Sequence, residues 1–84
     1  MNNLIMRSVA VADEYHPLST RDLVASVTVS CLPTNAGPVF FRGDDGSEVP
    51  WLPGEWHEFW NVNLAEITFR GTEGDVVTVV GGTW

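Results

Sequence analysis

Ten residues, WLPGEWHEFW at positions 51–60, hold most of the side chains in this chain that could do chemistry. Glu55 and His57 stand two apart. On an extended strand they share a face, so the carboxylate could orient the imidazole as a general base would require. No nucleophile in an activating context accompanies them: Ser19, Ser26, Ser30 and Ser47 lack a nucleophile-elbow setting, and Cys31 has no neighbouring base. The carboxylate pairs Asp44-Asp45 and Glu55…Glu58 would need a cleft between them to act as glycosidases do, and so small a domain offers little room for one. Asp44, Asp45 and Glu48 fall short of the full spacing of an EF-hand loop. One cysteine and two histidines, His16 and His57, argue against a structural zinc site, and no phosphate-binding or dinucleotide fingerprint occurs. The expectation is a protein that is not an enzyme, with no catalytic residue, cofactor or metal.

The same ten residues supply binding chemistry instead. Period two puts Trp56, Glu58 and Trp60 on one face and His57 and Phe59 on the other. Phe59 is the natural core member, which turns Trp56 and Trp60 outward. The opposite facing, with both indoles inside, is the alternative, and a one-residue slip in register would produce it. Outward indoles flanking a carboxylate can anchor a protein interface or stack on a sugar. Trp51 lies between Pro50 and Pro53, and Trp84 ends the sequence. The expected interface set is Trp51, Trp56, Glu58, Trp60 and Trp84.

The elements that must position these residues are short and β-rich. In LVASVTVSCL, residues 23–32, Leu23, Ala25, Val27, Val29 and Cys31 fall on one face and Val24, Ser26, Thr28 and Ser30 on the other, as on a half-buried strand. Cys31 takes an inward place as a small hydrophobe. Further strands are expected at Leu4–Ala12, Val39–Arg42, Trp56–Trp60, Ala65–Arg70 and Val76–Val80. His16–Thr20 reads as a connection, strand or loop in preference to a short helix from Ser19 or Thr20, because the next segment has a clear period of two. Pro33–Pro38, Gly43–Gly46 and Gly71–Asp75 read as turns, the Pro50–Gly54 segment as a bend, and Asn61-Val62-Asn63 as a break. Six to seven short strands with no helix-period segment give an all-β fold. It is a small antiparallel β-sandwich or partly open barrel, jelly-roll-like, forming a single β domain over 1–84.

Composition narrows the partners. With 84 residues, 44% of them hydrophobic, the chain can build one modest core, but a single cysteine excludes an intrachain disulfide. Oligomerisation or docking is the remaining support, so a homo-oligomer is expected. Four arginines, no lysine and eleven carboxylates give a net charge of −7, which opposes binding to nucleic acid. No apolar run approaches the twenty residues of a membrane span, and Arg7 interrupts the only candidate for a signal-peptide core, so no membrane partner and synthesis in a reducing cytoplasm are expected.

One resemblance adds to this reading. Pro53-Gly54-Glu55, the strand at Glu58-Phe59, the Asn63-Leu64 connection, Ile67 to Gly71, and Gly74 to Val79 follow one another in an order that resembles small β-sandwich virion proteins of tailed bacteriophages. Asn35 to Gly43 is similar to the connection and strand that precede them. Such modules serve as head decoration or head-fibre proteins, and related pieces are tail-associated. The resemblance implies a non-enzymatic capsid decoration or stabilising protein on the virion surface, made in the host cytoplasm. Its partner would be the major capsid protein or another virion protein. A trimer would fit the local threefold points of a capsid lattice. The alternative it leaves open is a tail or surface module that binds a receptor or carbohydrate through exposed tryptophans. Family modules carry small polar residues where this chain has Trp56 and Trp60, so the partner surface is a departure from the pattern.

Overall fold

The computed structural model describes residues 3–83. It contains eight strands: β1 (Leu4–Ala10), β2 (His16–Pro17), β3 (Val24–Cys31), β4 (Val39–Arg42), β5 (Glu48–Trp51), β6 (Trp56–Asn63), β7 (Thr68–Arg70) and β8 (Val76–Gly82). They form two four-stranded sheets with the orders β1-β8-β3-β6 (sheet A) and β2-β7-β4-β5 (sheet B), and every pairing is antiparallel. This is the strand order of a jelly roll, two sheets face to face and not closed into a full barrel.

The core lies where the inward rows of the two sheets meet. Ala25, Val27, Val29 and Cys31 of β3, with Val77 and Val79 of β8, face Val39 and Phe41 of β4 and Phe69 of β7, all buried. The period-two reading of β3 is therefore correct in strand and in face. Leu23 lies just outside the strand and packs on the rim of the core. Two buried polar residues clasp the ends of the sheets together. Asn35 accepts from the Val76 N–H (2.9 Å) and donates to the Val76 carbonyl (3.1 Å), and Asp75 accepts from the N–H groups of Ala36 (2.8 Å) and Gly37 (3.3 Å). These bonds satisfy the backbone of a buried connection that would otherwise lose its water.

Three expectations are corrected. β6 does not stop at Trp60 but runs to Asn63. A bulge lets it continue: Phe59 pairs with Val27 and Val62 with Ala25, three residues of step against two. Asn61, in the left-handed region at φ 52°, absorbs the extra residue, and its N–H binds the Ser26 hydroxyl at 3.2 Å. The bulge keeps both Phe59 and Val62 on the core side although they are an odd number apart. Leu64–Glu66 is a 3₁₀ turn instead of the start of a strand, because the Asn63 side chain caps it by accepting from Ala65 N (3.1 Å) and Leu64 is fully buried. Glu48–Trp51 is a strand, and its Pro50 is tolerated because β5 is a sheet edge. In the His16–Thr20 connection, expected as strand or loop, His16-Pro17 is a two-residue edge strand opposite Phe69 and Thr68.

Candidate functional site

Where the sheets place the aromatic residues decides which of them can meet a partner. Trp51 ends β5 with its ring inside the sandwich and is only 5% exposed. It stacks on Phe41 with ring centroids 3.8 Å apart and meets the edge of His57 at 4.6 Å. Its expected place on the interface is corrected: the bend at Pro50 is an edge strand, and that strand turns the indole inward. Trp84 lies outside the described residues. Trp56 and Trp60 project from the outer face of sheet A, 56% and 68% exposed, with Glu58 between them and also exposed. Phe59 packs on the core, as the alternation required.

Cross-strand register shows what surrounds the two indoles. Serine and threonine of β3 stand next to β6: Ser30 opposite Trp56 and Thr28 opposite Glu58. Beyond them Thr28 pairs with Val80 of β8, and Val80 with Met6 of β1. Leu4, Met6 and Val80 are all exposed, Leu4 at 73% and Met6 at 68%. Ser8, Ala10, Val76, Thr78, Gly82, Val24 and Ser26 complete the outward positions by the same alternation. Glu58 is the one ionisable side chain among these fifteen positions, in a chain with eleven carboxylates and four arginines. A sheet face left to water normally carries polar outward residues, often charged, whereas this one sets exposed large apolar side chains among hydroxyls and a single charge. Leu4, Met6 and Val80 were not in the expected set. The signal for them was the strict alternation around Ile5 and Val79, legible once β1 and β8 are known to be neighbours.

Sheet B presents a different outer surface. Glu48 accepts from the Tyr15 hydroxyl (2.6 Å) and from Arg70 (2.9 Å), and these two bonds hold its carboxyl below the usual carboxylate range. The Arg42 guanidinium lies 3.6 Å from the centre of the Tyr15 ring. This network ties the β2–β7–β4–β5 surface to itself, so its charges face each other.

The expected Glu55–His57 pair forms: Glu55 Oε2 lies 2.7 Å from His57 Nε2, and Glu55 Oε1 accepts from the Leu52 N–H at 3.1 Å. The His57 bond, then the Leu52 bond, hold the Glu55 carboxyl below its ordinary range. Glu55 thus fastens the bend before β6 and fixes the ring against Trp51. Among the described residues no group of three or more His, Cys, Asp or Glu side chains is placed to hold a metal ion. Cys31 sits in the core, where burial pushes its thiol up to about 11, with smaller contributions from the Glu55 and Asp75 charges. Because the thiolate is the reactive form, a thiol reagent at pH 8 is expected to leave Cys31 unmodified in the native protein and to modify it stoichiometrically in denaturant. Rapid native labelling would show that β3 opens readily.

No protein-family model matches the sequence, and no curated protein matches it significantly. Among solved structures, an RmlC-like cupin protein from Desulfovibrio desulfuricans is similar, with a TM-score of 0.59 and 15% identity, over 96% of this chain and 80% of that one. At this identity the likeness shows the fold alone: an all-β, two-sheet sandwich with the eight-strand order described above.

Proposed function

We propose that this chain is a non-enzymatic structural protein of a bacteriophage virion, a capsid decoration or stabilising module that docks through the outer face of sheet A. The observation that carries the docking reading is the pairing of Trp56 and Trp60 with Leu4, Met6 and Val80 on a face holding one charge. Covering it removes apolar area from water at about 25 cal/mol per Å² and desolvates almost no charge. Tryptophan, with tyrosine and arginine, is enriched among interface anchors. The virion setting rests on the sequence resemblance. Its natural partner there is the major capsid lattice, with copies of this chain assembled as a homo-oligomer on it.

A four-stranded face with strands about 4.8 Å apart and seven or eight residues long covers roughly 400 Å² in projection. This is less than the roughly 800 Å² per partner of a standard interface. A decoration module reaches stable attachment by making such a contact many times over, through avidity. Trp56→Ala and Trp60→Ala are each expected to weaken association with particles at least about thirtyfold, the effect of an anchor of about 2 kcal/mol. Co-sedimentation with capsids and analytical ultracentrifugation of the free protein read this directly. Unchanged co-sedimentation and unchanged mass for both variants would remove the docking face.

A second reading has its own observation. Trp60 and Glu58 border a shallow hollow with Ser26, Thr28 and Val80, a hydroxyl-lined depression beside an exposed ring. That arrangement suits a sugar stacked on the indole with its hydroxyls bonded to Glu58 and the serine and threonine hydroxyls. Quenching or shift of tryptophan fluorescence across a glycan panel favours this reading; loss of particle association in the two tryptophan variants without any glycan response favours docking.

A further inference from the structure

The side of the sandwich between β6 and the β4–β5 hairpin is open. Two hollows there, of about 420 and 730 Å³, share Arg42, Gly43, Phe59 and Ile67 and so form one groove along β6. The smaller hollow has an apolar floor that includes Phe41, Val49, Trp51 and Phe59, and the larger carries it on past Val62 and Ile67 among polar neighbours such as Asn61 and Asn63. Alongside this floor runs a sheet edge, and edges are normally blunted. Three of the four edges here are. β2 has two residues, one of them Pro17; β5 has four residues and carries Pro50; β1 turns Arg7 to its core-side row. β6 has eight residues with no proline, lysine or arginine, and among the described residues it pairs on one side only. Its bulge lies at Asn61, which leaves Trp56–Trp60 regular. In an antiparallel pair every second residue points its N–H and C=O away from the neighbour, so this stretch offers unpaired ladder groups beside an apolar trough.

We propose that β6 is a strand acceptor: an extended segment of a partner protein, apolar side chains alternating with lysine or arginine, adds beside Trp56–Trp60. Main-chain bonds to β6 would supply the attachment, and the apolar row of the added strand would enter the groove over Phe59 and Ile67. The charge of the segment follows from the rim. Asp44, Glu58 and Glu66 line the groove together with Arg42, whose guanidinium lies over the Tyr15 ring, so carboxylates outnumber cations there; Glu55 holds His57 at one end, and Asp45 follows Asp44 in the hairpin turn. A cationic segment is attracted there, while a second copy of this chain would bring Glu58 against a like-charged edge at a net charge of −7. The proposal deepens the docking reading and rests on it for the partner being another virion protein. The edge and groove themselves are tested without it.

The probe is an acetylated, amidated eight-residue peptide of alternating valine and lysine, added to the isolated full-length protein and followed by amide hydrogen exchange. Exchange in Trp56–Trp60 is expected to slow about tenfold or more at saturation, with β1 and β5 unchanged. Replacing the lysines by glutamate, or N-methylating every second amide, is expected to weaken binding about tenfold or more, a loss of about 1.4 kcal/mol. The proposal is overturned by no slowing in β6 at millimolar peptide, by slowing at β1 instead, or by equal binding of the N-methylated peptide. A β6-to-β6 dimer in sedimentation that the peptide does not displace would overturn it in favour of a second copy. The two readings fail separately: peptide protection of β6 with particle association intact in the Trp56 and Trp60 variants removes the docking face alone, and the converse removes the acceptor edge alone.

Discussion

Trp51→Ala is expected to lower the stability of the folded chain by about 3–5 kcal/mol, while Trp56→Ala and Trp60→Ala change it by about 0.5 kcal/mol or less. The three residues lie within ten positions of one another and differ in what surrounds them. Trp51 is buried, and its removal would take away the ring stacked on Phe41 and leave His57 and Phe59 facing a void. The cost is the lost transfer free energy of an indole plus the cavity that β5, pinned to β4 by its ladder, can only partly close. Trp56 and Trp60 already stand in water on the outer face, so truncating them removes little that folding buries. A typical domain has only about 5–15 kcal/mol of net stability, so the Trp51 variant should be marginal or unfolded at room temperature. Urea unfolding read at constant m separates the three. Equal losses in all three would mean that the outer face is covered in the isolated protein, as in a homo-oligomer already formed through it.

That contrast also measures what the sequence could reveal. The alternation in LVASVTVSCL was legible because β3 lies in the middle of sheet A and is buried on one face only, so its sequence reports its environment residue by residue. The outward facing of Trp56 and Trp60 was legible for the same reason, with Phe59 as the inward reference. The all-β, jelly-roll-like architecture followed from short strands and turn residues. What failed has a common cause: local signals that tertiary context overrides. Pro50 marks a break in isolation but costs nothing on an edge strand whose outer side lacks a ladder partner, and so Trp51 was placed with the surface. Asn61 and Asn63 read as breakers, yet Asn61 absorbs a bulge that lets β6 run on, and Asn63 is still within the strand and caps the 3₁₀ turn that follows it. The apolar face needed more than pattern. Leu4 and Met6 lie 52 and 50 residues from Trp56 in sequence and share its face only because β8 lies between β1 and β3. Strand order of that kind is set by the folded topology and leaves no local trace.

Gly81 is where that topology is most exposed to a single change, and Gly81→Ala is expected to cost about 3 kcal/mol or more. An added Cβ would lie 2.1 Å from the Ser26 carbonyl oxygen and 2.6 Å from Val27 Cα. Both obstacles are backbone, so no rotamer change relieves them. Gly81 stands opposite Val27 of β3 and Ile5 of β1, in the strand that joins the two, and Val27 is also where β3 meets the bulged part of β6. Making room there means parting β8 from β3 at the centre of sheet A. Gly43→Ala is the control: a Cβ there meets nothing within 4 Å, and the change is expected to fall within about 0.5 kcal/mol. Denaturant midpoints compare the two, and Cys31 gives a second readout, since parting β8 from β3 opens the wall that keeps its thiol from solvent. If Gly81→Ala unfolds at the parent's midpoint with Cys31 now labelled in the native protein, then β3 and β8 can separate locally without loss of the fold. In that case the outer face of sheet A is a deformable surface, whereas the decoration role proposed above needs it rigid, because only a fixed spacing of Leu4, Met6, Trp56 and Trp60 would let every copy meet the same site.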